Sequence, residues 1–240
     1  MAAEQPDAKS PTKSPSQAQS SPRARVRAPA KTKPNRAAAQ TRERLLDAAE
    51  RLFAERGIDN VTLLDVTRAA GQGNRSALQY HFGDKPGLLN AVLDRHAHAI
   101  ARKRQRMLDK LAEQGDSSLR DVVAALVVPV ADRYRHGGEA YLQLNSQLMA
   151  SHHWSEFRLQ RADLEVATRR FQERLADLLP ALPKAELAAR LLLMDVMLFH
   201  GLATYASRAP RPGFARFTQS LVDAISAMLS RPQDATDPAG

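Results

Sequence analysis

The chain has 240 residues, of which 43% are hydrophobic and 5% aromatic, and its formal net charge is +9. A chain of this length can form one large domain or two small domains around packed cores. It contains no cysteine, which excludes disulfide bonds, zinc sites with cysteine ligands and thiol catalysis.

The positive charge is concentrated at the N-terminus. Residues 1–37 hold eight lysines and arginines against two acidic residues, together with six prolines and almost no large apolar side chain. Such a segment cannot bury enough surface to offset the entropy lost on ordering. We therefore predict a disordered basic tail over 1–37, which is either a solubilising segment or an arm that follows DNA phosphates. A second disordered tail is predicted over 232–240.

Neither a leader peptide nor a membrane span is predicted. Residues 1–37 lack the apolar core of a signal peptide. The most apolar stretch, 191–199, contains Asp195 and is shorter than the roughly 20 residues that cross a bilayer. We therefore expect a cytoplasmic protein.

Helical periodicity begins at Ala38. The first predicted helix places Leu45 and Leu52 on one face and ends at Gly57, which suits a left-handed position after a helix. Thr62 and Asp65 then form the pattern of a capping box. This pattern predicts a short second helix that stops at a glycine-containing turn, followed by a third helix near residue 74.

Two short helices joined by a glycine-containing turn, after one longer helix, are typical of a helix-turn-helix. The second of the pair, 74–82, has Ala77, Leu78 and Phe82 for packing. Its other side chains form hydrogen bonds: Asn74, Arg75, Ser76, Gln79, Tyr80 and His81. Arginine can bind guanine, and asparagine or glutamine can bind adenine, in the major groove. An ordinary solvent-exposed helix is also polar on one face, so composition alone leaves both interpretations open.

The remainder of the chain is predicted to be helical as well, and no alternating strand pattern or internal repeat is present. Further helices are predicted over about 84–113, 118–135, 139–151, 155–179, 184–207 and 213–230. Pro86 fits the first turn of the fourth helix, and Pro129 predicts a kink in the fifth. The basic cluster 102–106 is interpreted as a solvated helix face.

The helix over 184–207 is apolar nearly all round between 191 and 199. Such a helix must be buried on two sides, and a partner subunit can cover one of them; the alternative is a core helix of a monomer. The predicted dimer interface consists of Leu191, Met194, Leu198, Leu202, Phe217, Leu221 and Ile225.

Residues 41–93 resemble the DNA-binding domain of the TetR family. The resemblance rests on the run from Ala48 to Gly57, on Thr62 with Asp65, on Tyr80-His81-Phe82-Gly83, and on Lys85 with Leu88-Leu89. The stretch from Gly71 to Phe82 is one residue longer than in the commonest version of the family.

This resemblance implies an all-α fold with two domains. The first is an N-terminal three-helix helix-turn-helix domain over 38–90, and the second is a C-terminal helical ligand-binding and dimerisation domain over 91–231. The implied function is that of a repressor which a small-molecule ligand releases from its operator.

The resemblance also implies individual roles. DNA contacts are expected from Arg42, Thr62, Asn74, Arg75, Ser76, Gln79, Tyr80, His81 and Lys85. Among them, Thr62 would cap the second helix and touch a phosphate. Lys85 would hold a phosphate with help from the positive end of the fourth helix. A homodimer would then read a near-palindromic operator, with half-sites about one DNA turn apart.

A small-molecule pocket is implied among the helices of residues 118–207. The candidates for its lining are Tyr141, Met149, Trp154, Phe171 and Phe199, although each of them can simply fill the core. No cofactor is expected. No metal is expected either, because adjacent His152 and His153 point to different sides of a helix and no third ligand has a recognisable spacing.

Two other function classes compete with a repressor. An activator or a non-specific architectural protein could bind DNA through the basic tail. A helical enzyme is the other alternative, but no catalytic constellation, phosphate-binding glycine loop or nucleophile elbow is visible in the sequence.

Overall fold

The structure is a computed structural model that describes residues 36–73, 75–151, 162–209 and 213–232. For Arg75 and residues 162–168 the description covers the backbone alone. The predicted tails therefore lie outside the described residues, apart from their innermost members.

The described residues form nine α-helices and no strand, so the predicted all-α fold class is confirmed. The helices are α1 (Arg36–Arg56), α2 (Leu63–Ala69), α3 (Arg75–Phe82), α4 (Lys85–Gln114), α5 (Leu119–Arg135), α6 (Glu139–Ala150), α7 (Ala162–Leu178), α8 (Lys184–Ser207) and α9 (Phe214–Ser230).

Helix α1 begins two residues earlier than predicted. Arg36 and Ala37 belong to the helix rather than to the tail, because they open an Arg-Ala-Ala-Ala run and alanine has the highest intrinsic helix propensity. The helix ends as predicted at Gly57, whose φ is +84° and whose N–H donates to the carbonyl of Phe53 at 3.0 Å. A glycine adopts this left-handed conformation without steric cost.

Two later helices begin with side-chain caps whose residue types are typical of helix starts. The carboxylate of Asp84 caps α4 by accepting from the N–H of Gly87 at 2.8 Å, and Pro86 lies in the first turn as predicted. Ser118 and Asp121 form a capping box at the start of α5. Helix α5 continues on both sides of Pro129, which is buried.

One hydrophobic core extends from α1 to α9. Its largest fully buried side chains include Phe53, Leu142, Phe171 and Leu198. Helix α4 contributes at both ends of this core, since it packs against α1 and α3 and also against α5 and α7. The predicted boundary between 90 and 91 therefore falls inside one continuous helix.

Among the described helices, α8 alone is long and apolar enough to cross a membrane. No membrane span is predicted from the sequence. One such helix is weak evidence for a membrane protein, because a core helix of a globular protein can have the same length and composition, and α8 buries Met194, Leu198 and Leu202 in the core.

Candidate nucleic-acid interface

Helices α2 and α3 form a pair held from beneath by apolar side chains. Leu78 of α3 and Val66 of α2 are fully buried, and Phe82 packs against the same core. After α2 the chain turns at Gly71, whose φ is +67°. The predicted inward role of Leu78 and Phe82 is therefore confirmed.

The opposite face of α3 is polar and open to solvent. Ser76, Gln79 and Tyr80 are exposed, and the side chain of Tyr80 is 83% accessible. Residues three and four positions apart lie on the same side of a helix, so these three side chains share one face. The half-buried His81 ring lies 5.1 Å from the Tyr80 ring in an edge-on arrangement. Asn74 and the side chain of Arg75 lie outside the described residues.

Thr62 begins α2 with the predicted capping box. Its hydroxyl accepts from the N–H of Asp65 at 3.1 Å, and the Asp65 carboxylate accepts from the N–H of Thr62 at 2.9 Å. Hydrogen bonds from the Thr62 side chain and backbone lower the pKa of Asp65, and the charges of Arg56 and Arg68 lower it further. Thr62 is exposed at the start of α2, but its hydroxyl already donates to the Asp65 carboxylate at 2.5 Å, so a hydrogen bond to a phosphate requires the hydroxyl to exchange acceptors.

Two basic side chains flank this pair of helices. The guanidinium of Arg42 lies 5.4 Å from the centre of the Phe82 ring and 3.3 Å from a carboxylate oxygen of Glu43. The ammonium of Lys85 donates to the carbonyl of Asp59 at 3.3 Å. Lys85 therefore connects the loop before α2 to the first turn of α4.

Helices α1 and α4 are joined by a charged cluster that the sequence analysis missed. Arg95 contacts Asp47 at 2.6 Å, Glu43 at 3.1 Å and Glu50 at 3.4 Å. Burial alone lowers the pKa of Arg95, but the hydrogen bond and charge of Asp47, with the other two carboxylates, raise it above its ordinary value. A detectable signal was the spacing of the three acidic residues, which places them on one face of α1.

The same cluster reaches into the C-terminal helices. The buried Glu50 lies 2.9 Å from Nε2 of His96, and the His96 ring stacks on the ring of Tyr141 with 4.5 Å between centroids. Gln147 of α6 also donates to the carbonyl of Ala54 at 2.7 Å. Helix α1 is therefore in direct contact with α6 as well as with α4.

The predicted dimer-interface residues need correction. Five of them are buried inside the protomer: Met194, Leu198, Leu202, Leu221 and Ile225. The other two, Leu191 and Phe217, are half-buried. A second copy cannot reach side chains that their own chain already covers. The exposed apolar residues of α8 are instead Leu192, Leu193 and Val196, whose side chains are 56%, 52% and 37% accessible.

The predicted pocket residues divide into two groups. Tyr141 and Phe171 are buried, whereas Met149 and Phe199 are half-buried beside the core. Trp154 lies outside the described residues, as do His152 and His153. Within the described part of the chain, no group of three or more residues has side chains placed to hold a metal ion.

These features define a helix-turn-helix protein with a helical C-terminal region, and comparison with known proteins gives its family. A family model described as bacterial regulatory proteins, tetR family, matches residues 45–92. A second, described as a tetracyclin repressor-like C-terminal domain, matches residues 124–230. The chain therefore belongs to the TetR family, whose members are regulators rather than enzymes.

Individual relatives agree with this family. The chain is 42% identical over 57 residues to the HTH-type transcriptional regulator TtgR of Pseudomonas putida, a match covering 24% of this chain and 27% of TtgR. The chain thus matches about a quarter of the length of that curated relative.

Two solved structures share the fold over most of the chain. One is NalD, the secondary repressor of the MexAB-OprM multidrug efflux pump in Pseudomonas aeruginosa, at 19% identity and a TM-score of 0.52, covering 79% of this chain and 95% of NalD. The other is a SmeT–triclosan complex, at 20% identity and a TM-score of 0.50, covering 83% and 99%. At these identities the likeness concerns the fold alone.

Proposed function

We propose that the protein is a homodimeric, sequence-specific transcription repressor that leaves its operator when a small molecule binds among its C-terminal helices. The observation that carries this proposal is the exposed polar face of α3, with Ser76, Gln79 and Tyr80 pointing away from a core-bound Leu78. The chemistry of this face and its support fit a recognition helix.

The dimensions and chemistry of DNA favour this use of α3. The major groove is about 12 Å wide and admits one helix, and its base edges offer donors and acceptors that glutamine and arginine can pair with. Contacts with phosphates position a protein on the duplex without reading sequence. We assign such contacts to Arg42 beside the Phe82 ring, to Thr62 at the start of α2 and to Lys85 at the start of α4.

The outer face of α8 supports the proposal of a dimer. Three large apolar side chains, Leu192, Leu193 and Val196, stand exposed on that helix, and an apolar patch of this kind is typical of an interface. Helices α8 and α9 pack together at Gly201, where a Cβ would make an ordinary van der Waals contact with Leu221 at 3.5 Å. A twofold pair would present two recognition helices to a near-palindromic operator.

Release by a ligand is supported by the contacts between the two proposed domains, 38–90 and 91–231. The stacked rings of Tyr141 and His96 connect α6 to Glu50 of α1. A small molecule that prefers one arrangement of these helices shifts the population toward it, and a coupling of about 1–3 kcal/mol suffices. SmeT, which has the same fold, is in a complex with triclosan, and NalD is described as a repressor. We propose the same mode of action for this chain, in the cytoplasm.

The test begins with selection of bound sequences from random DNA by the full-length protein. Gln79→Ala should weaken binding to the selected operator by about 1–3 kcal/mol and relax one base position. Gln114→Ala, which removes an exposed glutamine at the far end of α4, should leave binding unchanged. Lys85→Ala should weaken binding to every sequence and flatten its salt dependence.

Two outcomes would contradict the proposal. If no preferred sequence emerges and removal of residues 1–35 abolishes DNA binding, the protein is an architectural binder that uses its basic tail. If Gln79→Ala weakens specific and random DNA equally, α3 does not read bases.

A further inference from the structure

Arg104 of α4 occupies a position in the apolar stripe of its helix. It lies four residues after the buried Ile100 and four residues before Leu108, which packs against the core, and Leu111 continues the same stripe. Residues four apart lie on one helix face. Arg104 is half-buried and its Nε is buried, so the expectation of a solvated face is incorrect for this residue, whereas Arg102 and Arg106 are exposed.

The guanidinium of Arg104 is incompletely satisfied. Its Nε is buried and has no hydrogen-bond partner among the described residues. Burial lowers the pKa of Arg104, while Tyr141 of α6 and Asp195 of α8 act electrostatically to raise it. An arginine stays protonated in spite of such a decrease, so α4 carries a half-buried positive charge whose Nε lacks a hydrogen-bond partner among the described residues.

Arg95, which lies on the same helix, is by contrast fully paired. Three carboxylates of α1 surround it at 2.6–3.4 Å. Lys103, the neighbour of Arg104, likewise pairs with Asp132 of α5. A buried charge without such pairing is costly. A cost of this kind is offset when a bound molecule supplies the missing partner.

We propose that Arg104 binds the carboxylate of an amphipathic, singly charged small molecule, and that this molecule is the effector. A guanidinium binds carboxylates through two parallel hydrogen bonds. The carboxylate of Asp195 disfavours a second negative charge nearby, so a monocarboxylate fits better than a phosphate dianion. Leu191 and Phe199, one turn before and after Asp195, are half-buried and provide apolar surface for the body of the ligand.

Tyr141 can couple ligand binding at Arg104 to the helices that we propose bind DNA. Tyr141 acts electrostatically on Arg104, and its ring stacks on His96, which contacts Glu50 of α1. The effect on operator binding rests on the proposed function, whereas the binding of a carboxylate by Arg104 does not.

The experiment uses the full-length protein and three matched pairs of probes: acetate with acetamide, benzoate with benzamide, and decanoate with decanamide. Inorganic phosphate is the dianion probe. The rise in Tm on titration gives an apparent dissociation constant for each probe, and the ¹⁵N–¹H signal of the Arg104 side chain reports direct contact. Arg104→Met removes the guanidinium, Arg104→Lys keeps the charge without the fork, and Arg106→Met is the matched exposed control.

At least one carboxylate should bind the wild-type protein about tenfold more tightly than its amide and more tightly than phosphate, because a hydrogen bond to a charged group is worth about this factor or more. The same carboxylate should move the Arg104 signal. Arg104→Met should remove the preference, Arg104→Lys should retain part of it, and Arg106→Met should leave it intact. If Arg104→Met does not fold, the comparison of acid with amide on the wild type and on Arg104→Lys still decides.

The inference is overturned if no carboxylate exceeds its amide, or if Arg104→Met and Arg106→Met behave alike. Adding the same probes to the complex with selected DNA separates the two proposals. Carboxylate binding at Arg104 without release of DNA would contradict ligand-controlled repression but not the anion site. Specific DNA binding without any carboxylate preference would contradict the anion site alone.

Discussion

Helices α3 and α8 both lie half in the core, yet their outer faces have opposite chemistry. Helix α3 has eight residues, buries Leu78 and exposes Gln79 and Tyr80. Helix α8 has 24 residues, buries Met194 and Leu198 in its core-facing row and leaves other leucines in solvent. Their inner faces are alike because every core is apolar. The outer face therefore carries the information about a partner.

A polar outer face and an apolar outer face fit different partners. Hydrogen-bonding side chains lose little in water and gain specificity when they meet base edges. Exposed leucines gain most when another apolar surface covers them, at about 25 cal/mol per Å² of area removed from water. We therefore assign DNA to α3 and a second copy of the chain to α8.

The largest effect is expected from a substitution on the core-facing side of α3. Leu78→Ala should lower the free energy of unfolding by about 2–5 kcal/mol, because it opens a cavity beneath the recognition helix. Leu64→Ala, at an exposed leucine of the neighbouring helix α2, should change it by less than about 0.5 kcal/mol. Urea denaturation of both variants measures the difference. Similar losses in the two variants would mean that α3 is not held through Leu78.

The next largest effect is expected when substitutions remove the apolar character of the outer face of α8. Leu192→Asp combined with Val196→Asp should raise the dimer dissociation constant at least about a hundredfold, which corresponds to roughly 3 kcal/mol. Sedimentation of the two forms over a range of concentrations measures this constant. Ala176→Asp, at an exposed position of α7, is the control. A dimer unaffected by the double substitution would place the interface elsewhere.

The outer face of α3 should be sensitive to a single exposed ring. Tyr80→Ala should weaken operator binding by about 1–2 kcal/mol, within the range for recognition contacts, without changing thermal stability, because the side chain is almost wholly in solvent. Tyr80→Phe distinguishes a contact by the hydroxyl from a contact by the ring. Fluorescence anisotropy with labelled operator gives the affinities. Unchanged affinity in both variants would remove Tyr80 from the interface.

The smallest effect concerns the cap that positions α2 beside α3. Since the pKa of Asp65 in the folded state lies below its ordinary value of 3.8, the contribution of its carboxylate to stability is present above about that pH. It is lost as the pH falls through the lower, folded value. Asp65→Asn should therefore flatten the acid side of the stability profile, followed by circular dichroism between pH 2 and pH 6. Parallel profiles for wild type and variant would contradict this assignment.

Much of the helix-turn-helix could be predicted from the sequence because its signals are local. The capping box of Thr62 and Asp65, the left-handed Gly57 and the polar set of α3 each depend on residues within about four positions of one another. The fold class and most helix bounds followed from the same kind of pattern, while the predicted start of α7 at residue 155 lies outside the described residues. The observed start of α1 lies only two residues before the predicted start, because small differences in helix propensity decide where a helix begins.

The tertiary structure alone decided which face of each helix meets which neighbour. In a helix that is apolar nearly all round, periodicity cannot tell that Met194 lies inside and Leu192 outside, and the predicted interface therefore listed core residues. The partners of Arg95 lie 45–52 residues away in α1, and the residues that act electrostatically on Arg104, Tyr141 and Asp195, are likewise distant along the chain. Local sequence specifies the helices, but burial and charge pairing result from contacts between residues that are distant along the chain.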